Sequence, residues 1–416
     1  MDKINKNLVI FCHSISKNDD YFFLINEIRL SRNFFKKITI VPFKKNLTEL
    51  DAFKYENVYI DNSLSKSFEQ VINIFLCFIK VLLCKFFWVE IINLKKNLLK
   101  KTILVYKERL KSEIVFQWIK KNNFDYDENL FYSFWSNHNL ISFFLIKKID
   151  NKFKCFSRTL GSDLYGFFNN DRYVPFKKIK FSNLNLILTL NKDQKKKLLD
   201  ENLIDENKIE NNILGITKQN ISNLDDFSDS KIIICSCGHH NHVKNTKTII
   251  DFVKILSEID RNRKIDYISI GSGILNGKLK SYAKKKLDNI NYRFIKKVDN
   301  LVNFLKNEKV DIFINLSFAE GMSFAVMESL SCGIPVICSN IPGNREIIDE
   351  KNGYILKNYS EDEMFNLSKI IHNDLNKKEN FIQKKRQCIK TTSEILDNKI
   401  NSQKFIKIIN KYYSNF

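Results

Sequence analysis

Glycine is scarce in this chain, and it is missing from the first part of it. The sequence has 11 glycines in 416 residues, and the first of them is Gly161. Nine of the 11 lie at Gly215 or beyond it. Because tight strand-to-helix turns favour glycine, we expect such turns in the second half. The turn after the first strand is expected to do without a glycine-rich loop.

The sequence also has no Cys-x-x-Cys pair, and its nine cysteines are an odd number. Most of them lie in or beside apolar runs, as Cys77, Cys235 and Cys332 do. Such cysteines behave as small core residues in proteins of a reducing compartment. The pattern argues against a disulfide framework and against a zinc site, and it favours a cytoplasmic location.

No uncharged apolar run reaches the ~18 residues of a transmembrane candidate, and the first residues lack a signal-peptide pattern. The most hydrophobic window is 71–94, which Lys80, Lys85 and Glu90 interrupt. A buried core helix fits this window, and so does a helix that lies in a bilayer interface with Trp88 as its anchor. The sequence leaves these two interpretations open.

The composition is that of a globular, strongly basic protein. Hydrophobic residues make up 44% of the chain, and the formal net charge is +21. A chain of this length is long enough to form two domains. Its charge favours anionic partners. Nucleic acid, anionic lipid and nucleotide diphosphates all qualify, and charge alone does not choose among them.

Strands and helices alternate along both halves, which predicts an α/β fold with a doubly wound parallel sheet in the second half. The predicted boundaries are an N-terminal domain at 1–216, a polar linker at 217–230, a second domain at 231–395 and a C-terminal helical segment at 396–416. The predicted strands of the first half lie at 7–13, 38–42, 57–60, 130–133, 154–157 and 184–190. Those of the second half lie at 231–237, 267–270, 291–295, 311–316 and from 334 onward.

The stretch 311–338 carries the clearest chemical signal. A buried strand ends near Leu316, a short turn holds Glu320, and a helix is predicted from Phe324. We expect Ser323 to cap this helix and Gly333 to end it in a left-handed conformation.

The start of that helix favours an anion. The main-chain amides of Gly321, Met322 and Ser323 would face the crevice at the strand end. Glu328 lies one to two turns into the helix and can lean back toward Glu320, because helical side chains tilt toward the N-terminus. Two ordinary surface carboxylates would show the same isolated pattern.

A second anion site is predicted in CSCGHHNHVKNTKTIIDF, residues 235–252. Gly238 ends a strand, and Lys244 follows six residues later near a helix start. His239, His240 and His242 form a cluster, but carboxylate or cysteine partners at metal-ligand spacing are missing, so we expect no metal. A solvated surface lysine is the alternative interpretation of Lys244.

The residues around Glu320 and Glu328 resemble the Glu-x7-Glu signature of glycosyltransferase family 4, whose members are retaining enzymes with the GT-B fold. The segment IPGNREIIDEKNGYIL, residues 341–356, is similar to the segment that follows in the family. The resemblance implies two Rossmann-like domains that face a cleft, with the C-terminal helix crossing back to the N-terminal domain. It also implies a nucleotide-diphosphate sugar as donor, bound by the C-terminal domain without a metal or other cofactor.

The family's roles carry over residue by residue. Lys244 stands at the family's lysine position for the donor diphosphate, and His239 stands where arginine is usual. The resemblance implies that Glu320 orients the donor sugar and that Glu328 binds the ribose hydroxyls. The amides of residues 321–323 and Gly238 complete the expected donor site.

The N-terminal half resembles the family less closely. Within SRTLGSDLYGFFNNDRYVPFKK, residues 157–178, Arg158 and Asp163 match a branch of the family, but Leu160 stands where a histidine is expected. Arg158, Asp163 and His13 are the candidate residues for the acceptor side of the cleft. For His13, a partly buried strand-end histidine is the alternative.

The resemblance predicts a retaining transferase that acts on a glycan or lipid-linked acceptor in bacterial surface-polysaccharide assembly, peripheral to the inner face of the cytoplasmic membrane. Two alternatives stay open. A catalytically weakened binding subunit is suggested by Leu160 and His239, and a basic polyanion binder by the net charge. No nucleic-acid module is present, so we expect no nucleic-acid partner. The sequence does not identify the sugar, the base, the acceptor or the oligomeric state.

Overall fold

The computed structural model describes residues 4–15, 21–44, 55–69, 71–167, 169, 172–221, 224 and 228–413. The chain divides into two compact units. The first unit comprises Met1–Leu214 together with Asn401–Phe416, and the second comprises Gly215–Ile400.

The first unit is built on a parallel sheet of seven strands in the order β3-β2-β1-β4-β5-β6-β7. Strand β1 lies inside the sheet and pairs with β2 and β4, so that Leu8 lies beside Ile38 on one side and Leu130 on the other. Central strands of this kind are buried on both faces, which explains their nearly continuous apolar sequences. The strands are β1 (Asn7–Cys12), β2 (Ile38–Pro42), β3 (Val58–Ile60), β4 (Asn129–Ser133), β5 (Lys154–Arg158), β6 (Leu186–Thr189) and β7 (Ile209–Asn211).

Nine α-helices precede β7 in the described part of the first unit. The core between the sheet and these helices is rich in aromatic rings, and Phe131 and Phe153 stack with their centroids 4.3 Å apart. The helices are α1 (Tyr21–Ser31), α2 (Ser63–Glu69), α3 (Val71–Leu82), α4 (Lys85–Ile92), α5 (Leu98–Lys121), α6 (Asn139–Ile149), α7 (Ser162–Tyr165), α8 (Lys177–Ser182) and α9 (Lys192–Asp200).

The hydrophobic window 71–94 is not one helix. It breaks at Cys84, whose backbone is extended, and α3 and α4 lie on either side of the break. Neither glycine nor proline stands at this point. The indole Nε1 of Trp88 donates a hydrogen bond of 2.7 Å to the carbonyl of Leu82, which satisfies a carbonyl at the end of α3.

The second unit is built on a parallel sheet of six strands in the order β10-β9-β8-β11-β12-β13. Its strand order reverses direction between β8 and β11, which is the switch point where open α/β sheets bind ligands. The strands are β8 (Lys231–Cys237), β9 (Lys264–Ile270), β10 (Asn291–Ile295), β11 (Ile312–Asn315), β12 (Val336–Ser339) and β13 (Gly353–Leu356).

Helices connect these strands and cover both faces of the second sheet. Gly333 ends α13 with φ +70°, which confirms the left-handed turn expected there. The helices are α10 (Thr246–Ile259), α11 (Asn276–Lys286), α12 (Leu301–Asn307), α13 (Phe324–Ser331), α14 (Pro342–Arg345), α15 (Glu361–Asn376) and α16 (Lys378–Thr391).

The last helix, α17 (Asn398–Tyr413), starts in the second unit and returns the chain to the first. Phe405, Ile409 and Tyr413 are buried, and the Tyr413 hydroxyl donates to the carbonyl of Cys155 at 3.2 Å. The helix therefore completes the core of the first unit, as expected for the C-terminal segment.

The two connections between the units run side by side. Ile216 forms a β-bridge with Asp397, and Gly215 passes so close to Asn398 that a Cβ atom would lie 2.3 Å from its Cα. The predicted linker at 217–230 follows directly, although residues 222–223 and 225–227 lie outside the described part of the chain.

All nine cysteines lie among the described residues, and each is a free thiol. Within the same residues no helix is both long and apolar enough to cross a membrane.

Candidate functional site

The candidate site lies at the carboxyl edge of the second sheet, where β8, β9 and β11 end at Cys237, Ile270 and Asn315. Residues from all three strand ends line a pocket there, together with His240 and Lys244 from the loop after β8. Backbone contacts hold two of these loops together, because the amide of Phe318 donates to the carbonyl of Val243 at 2.8 Å.

Lys244 and Glu320, which are far apart in sequence, are in direct contact. The Lys244 Nζ donates to Glu320 Oε1 at 2.5 Å, and the Ser317 hydroxyl donates to the same oxygen at 2.8 Å. The lysine side chain is 25% exposed and the glutamate side chain 12%. A cation and a carboxylate thus meet in a partly desolvated position, where their interaction is stronger than on an open surface.

Glycines let the loops around Lys244 approach closely. A Cβ on Gly238 would lie 3.2 Å from the Lys244 Cδ, so the lysine stem packs across this glycine. Gly271 has φ +149°, and a Cβ there would lie 1.9 Å from the carbonyl oxygen of Gly238. Gly273 would similarly collide with the carbonyl of His240. The Gly-x-Gly turn after β9 therefore supports the loop that carries Lys244.

Glu328 lies on the first turns of α13 and faces the same strand end. Burial raises the pKa of its carboxyl to about 7. Burial also raises the pKa of the Cys237 thiol to about 12, an effect that the Glu328 charge increases and the Lys244 charge opposes. The Glu328 and Lys244 charges thus both act on the thiol at the end of β8, and Lys244 contacts Glu320 directly.

The Glu328 carboxylate has no side-chain hydrogen bond within the part of the chain that the structure describes. Lys244, by contrast, already has Glu320 as its partner. Glu328 is thus the carboxylate of this site that is available to new hydrogen-bond donors.

The helix start differs from the expectation in one detail. Ser323 does occupy the N-cap position of α13, but its side chain makes no capping bond. Its hydroxyl instead accepts a hydrogen bond of 3.1 Å from the Asn315 Nδ2, because β11 ends directly beside it. Gly321, Met322 and Ser323 are all buried at this turn. That their amides receive an anion stays a prediction.

The three histidines after β8 have different environments. His240 is buried, and its ring bonds to Asn276 Oδ1 at 2.8 Å and Ser269 Oγ at 3.1 Å. Burial lowers its pKa, which favours the neutral ring, and the ring ties the loop after β8 to β9 and to the start of α11. His239 and His242 are exposed. No group of three or more potential metal ligands occurs among the described residues, and the role of His239 stays a prediction.

Residues 217–388 match the model of the family described as glycosyl transferases group 1. The O-antigen biosynthesis glycosyltransferase WclY of Escherichia coli is 31% identical over 150 residues, which is 36% of this chain and 40% of WclY. The uncharacterized glycosyltransferase MJ1178 of Methanocaldococcus jannaschii is 28% identical over 217 residues, 51% of this chain and 57% of that protein. The chain thus spans less than two thirds of the curated relatives it matches.

Solved structures match nearly the whole chain. Anabaena HepE in complex with UDP and glucose has a TM-score of 0.68 at 11% identity, with 98% of this chain and 100% of HepE covered. S. aureus TarM has a TM-score of 0.66 at 12% identity, covering 97% and 100%. The lipopolysaccharide outer core galactosyltransferase WaaB has 0.66 at 13%, covering 99% and 100%.

The chain has the GT-B fold. Its two parallel sheets are the two Rossmann-like sheets of that fold, and the second one carries the candidate site. At 11 to 13% identity these structures establish the architecture and leave the chemistry to the residues themselves.

Arg158, at the end of β5 in the first GT-B sheet, does not line a cleft. Its side chain is completely buried and forms an ion pair of 2.7 Å with Glu27. It also donates to the Tyr132 hydroxyl at 3.1 Å and to Asn212 Oδ1 at 2.7 Å. All of these partners belong to the first unit. The acceptor assignment is wrong for Arg158, because its hydrogen bonds are used inside the core.

Asp163 has a structural role as well. Its carboxylate accepts hydrogen bonds from the amides of Ser136 at 3.0 Å, Leu160 at 3.1 Å and Gly161 at 2.9 Å. Gly161 has φ +120°, so the turn has a shape that favours glycine. Asp163 fixes this turn, which corrects its assignment as an acceptor residue.

His13 follows β1 and remains a candidate. Its ring is partly buried and stacks on Phe43 with the centroids 6.2 Å apart. His138 packs edge-on against the same phenylalanine at 4.7 Å, and burial lowers the His138 pKa to about 3. The first GT-B sheet thus gathers two imidazoles at its carboxyl edge, and contact of His13 with an acceptor stays a prediction.

The sequence did not indicate the residues that support the site. Ser317 donates its hydroxyl to Glu320, and its carbonyl accepts from the Ser339 hydroxyl at 2.6 Å and the Tyr359 hydroxyl at 3.1 Å. Gly343 lies against the Glu320–Gly321 backbone, where a Cβ would be 2.5 Å from the Gly321 oxygen. The position of Ser317, three residues before Glu320 at a strand end, is the signal that could have revealed it.

Proposed function

We propose that this protein is a retaining glycosyltransferase of family 4, which moves a sugar from a nucleotide-diphosphate sugar to a glycan acceptor. Its match to the group 1 glycosyltransferase family over residues 217–388 supports the reaction class. The name of the related E. coli protein supports a role in surface-polysaccharide assembly. HepE, which shares the GT-B fold, has been solved with UDP and glucose, which supports a nucleoside diphosphate sugar as the donor.

One observation carries the proposal. Lys244 and Glu320 meet at 2.5 Å on the carboxyl edge of the second sheet, and Glu328 lies beside the same strand end. A single lysine with two carboxylates, next to a helix N-terminus, provides a cation for a diphosphate and acceptors for sugar hydroxyls.

The roles follow from the charge that develops during transfer. Cleavage of the bond between the sugar and the diphosphate leaves negative charge on the leaving group. Lys244, His239 and the amides of residues 321–323 stabilise that charge. The arriving diphosphate competes with Glu320 for the Lys244 ammonium, so donor binding releases the Glu320 carboxylate to orient the hydroxyls of the donor sugar.

Glu328 binds the ribose hydroxyls, since a carboxylate accepts two such bonds strongly. Gly238 keeps the lysine stem in place. Charge stabilisation by Lys244 replaces a metal ion in this scheme, and no cofactor takes part. The acceptor attacks on the face from which the diphosphate leaves, which gives retention of the anomeric configuration.

The acceptor is lipid-linked and binds to the N-terminal unit, and the protein works peripherally at the inner face of the cytoplasmic membrane. The basic and hydrophobic character of the N-terminal half supports this location. Nucleic acid is not a partner.

A thermal-shift panel of UDP, GDP, ADP and their sugar conjugates tests donor binding. One base should raise the melting temperature. Lys244→Ala and Glu328→Ala should remove that response, whereas Lys285→Ala, at an exposed lysine of the same unit, should keep it. If no nucleotide in the panel stabilises the protein, the proposal fails.

Turnover is tested with the donor that responds. Glu320→Gln should keep nucleotide binding and lower kcat by about 100-fold, as loss of a group that acts in the transition state does. The anomeric configuration of the product, determined by NMR, tests retention. Nucleotide binding without turnover over a broad set of acceptors would favour the binding subunit instead. Leu160, in the place of the expected histidine, and His239, in the place of the usual arginine, are the observations behind that second candidate.

A further inference from the structure

A large group of apolar side chains lies exposed on three consecutive helices of the first unit. Twelve of the twenty exposed large hydrophobic residues in the described chain fall between Phe75 and Ile103. Six of them are more than half exposed: Phe75, Leu76, Leu83, Ile92, Leu98 and Leu99. We call the exposed apolar side chains of α3, α4 and the start of α5 the apolar face.

The helices that carry the apolar face are folded onto the first unit, because their opposite side is packed. Cys77 and Val81 on α3, Phe87 on α4 and Val105 on α5 are buried. Val81, Phe87 and Val105 share a core cluster with residues of α6 and the loop before α8. Helices that are apolar on both sides but packed on only one side typically use the free side to contact a membrane or another protein.

The charges around the apolar face are almost all positive. Residues 75–103 contain six lysines and a single acidic residue, Glu90. Glu90 is occupied, since it accepts from the Tyr173 hydroxyl and from the Phe176 amide at 2.9 Å. Lys80, Lys85, Lys95, Lys96 and Lys100 are exposed and have no carboxylate partner among the described residues. Apolar side chains bordered by unpaired lysines complement an anionic lipid surface.

The position of Trp88 and the length of α3 indicate how the apolar face would contact a bilayer. Trp88 is 48% exposed, and its indole nitrogen is bonded to a carbonyl of α3. An amphipathic ring of this kind prefers the boundary between headgroups and acyl chains. Helix α3 has 12 residues and is about 18 Å long, well short of the bilayer core of about 30 Å. These helices would therefore lie in the interface.

We propose that the apolar face inserts into the interfacial region of a bilayer that contains anionic lipids. A second copy of the chain fits less well. A two-fold dimer through this face would place the same surface on both partners and would bring lysines opposite lysines. The inference deepens the membrane location in the proposed function and gives it a surface, and it does not depend on sugar transfer.

Vesicle flotation tests the proposal on the full chain without donor or acceptor. The protein should float with vesicles of phosphatidylcholine that contain about 30% phosphatidylglycerol, and much less with pure phosphatidylcholine. Leu83→Glu/Leu99→Glu should lower the partition coefficient at least about tenfold. Ile149→Glu/Ile370→Glu makes the same change of charge at two exposed apolar residues elsewhere and should float like the wild type.

The lysines have a matched control as well. Lys95→Glu/Lys96→Glu/Lys100→Glu should remove flotation on anionic vesicles, whereas Lys284→Glu/Lys285→Glu/Lys286→Glu, exposed on α11, should weaken it only modestly. Equal losses for the two triple variants would mean that net charge alone drives binding, which would overturn the proposal.

Fluorescence provides a local readout. Lipids brominated on the acyl chain should quench the wild-type emission, and Trp88→Phe should abolish the quenching while leaving flotation largely intact. The proposal is overturned if anionic vesicles neither float the folded protein nor quench Trp88. It is also overturned if light scattering shows a dimer that Leu83→Glu/Leu99→Glu dissociates while no variant binds vesicles. Because donor thermal shifts are measured separately, either proposal can fail alone.

Discussion

At the scale of single residues, the site contrasts a lysine, which is paired with a glutamate, with a second glutamate whose carboxylate has no partner among the described residues. Lys244 is bonded to Glu320, whereas Glu328 is largely buried and its pKa is raised to about 7 by that burial. A buried carboxylate without a partner destabilises the folded state when it is ionised. Such local conflicts are expected where function requires a group that the fold alone would not favour.

The sign of the Glu328 pKa shift gives a test on stability. The folded state holds the Glu328 proton up to about pH 7, and the unfolded state releases it near its ordinary value of 4.5. The contribution of Glu328 to stability therefore falls as the pH rises through this window. Glu328→Gln should raise the melting temperature at pH 8 and change it little at pH 4.

The matched control is Glu350→Gln, at an exposed carboxylate of the same unit. Its effect on the melting temperature should be small at both pH values. If Glu328→Gln gave the same shift in melting temperature at pH 4 and pH 8, burial would not be the cause of the raised pKa.

At the scale of elements, the site depends on turns that pack against each other. The turn that carries Glu320 lies between β11 and α13, and the start of α14 lies directly against its backbone. Only the missing side chain of Gly343 allows that approach, since a Cβ would lie 2.5 Å from one backbone oxygen and 2.9 Å from the next.

Gly343→Ala should displace the Glu320 turn. We expect it to destabilise the second unit by about 1 to 3 kcal/mol, as forced overpacking does, and to lower donor affinity. Calorimetry and donor titration measure the two effects.

Gly277→Ala is the control for Gly343→Ala, because a Cβ at this position in α11 meets nothing within 4 Å. It should be neutral or stabilising by up to about 1 kcal/mol, since alanine is the better helix former. Equal destabilisation by the two variants would mean that the close approach at Gly343 does not matter.

At the scale of the whole molecule, the C-terminal helix decides how the chain is divided. Helix α17 follows the second unit in sequence, but from Asn401 onward it belongs to the first. Phe405 and Ile409 are at most 1% exposed, whereas Lys404 and Lys407 on the same helix are exposed. The stability of the first unit thus depends on helix α17.

Phe405→Ala/Ile409→Ala should lower the stability of the first unit by several kcal/mol, about 2 to 5 for each cavity. The transition of the second unit, identified by its shift with donor, should stay in place. Lys404→Ala/Lys407→Ala should leave both transitions nearly unchanged. Calorimetry with and without donor separates the two unfolding transitions. An equal loss of stability in both units would show that α17 does not belong to the first unit alone.

Sequence patterns predicted several of the strands that position the site. Strands β2, β8 and β10 have the predicted bounds, and Lys244 and Glu320 are in direct contact. Helix α5 runs from Leu98 to Lys121, and its sequence shows no clear apolar stripe from which its start could be predicted.

The sequence alone determined the strands and helices whose signals come from residues close together in the chain. Apolar runs precede Gly238 and Glu320, and helix signals follow them. These local patterns predict two strands of one sheet, each followed by a helix. Tertiary structure decided which polar groups are buried and which apolar groups are exposed. Arg158 is a core residue because it pairs with Glu27, which lies 131 positions away in the sequence. Residues 75–103 have an exposed side because only one face of their helices packs against other residues of the described chain. Burial depends on contacts between distant parts of the chain, and no local pattern contains them.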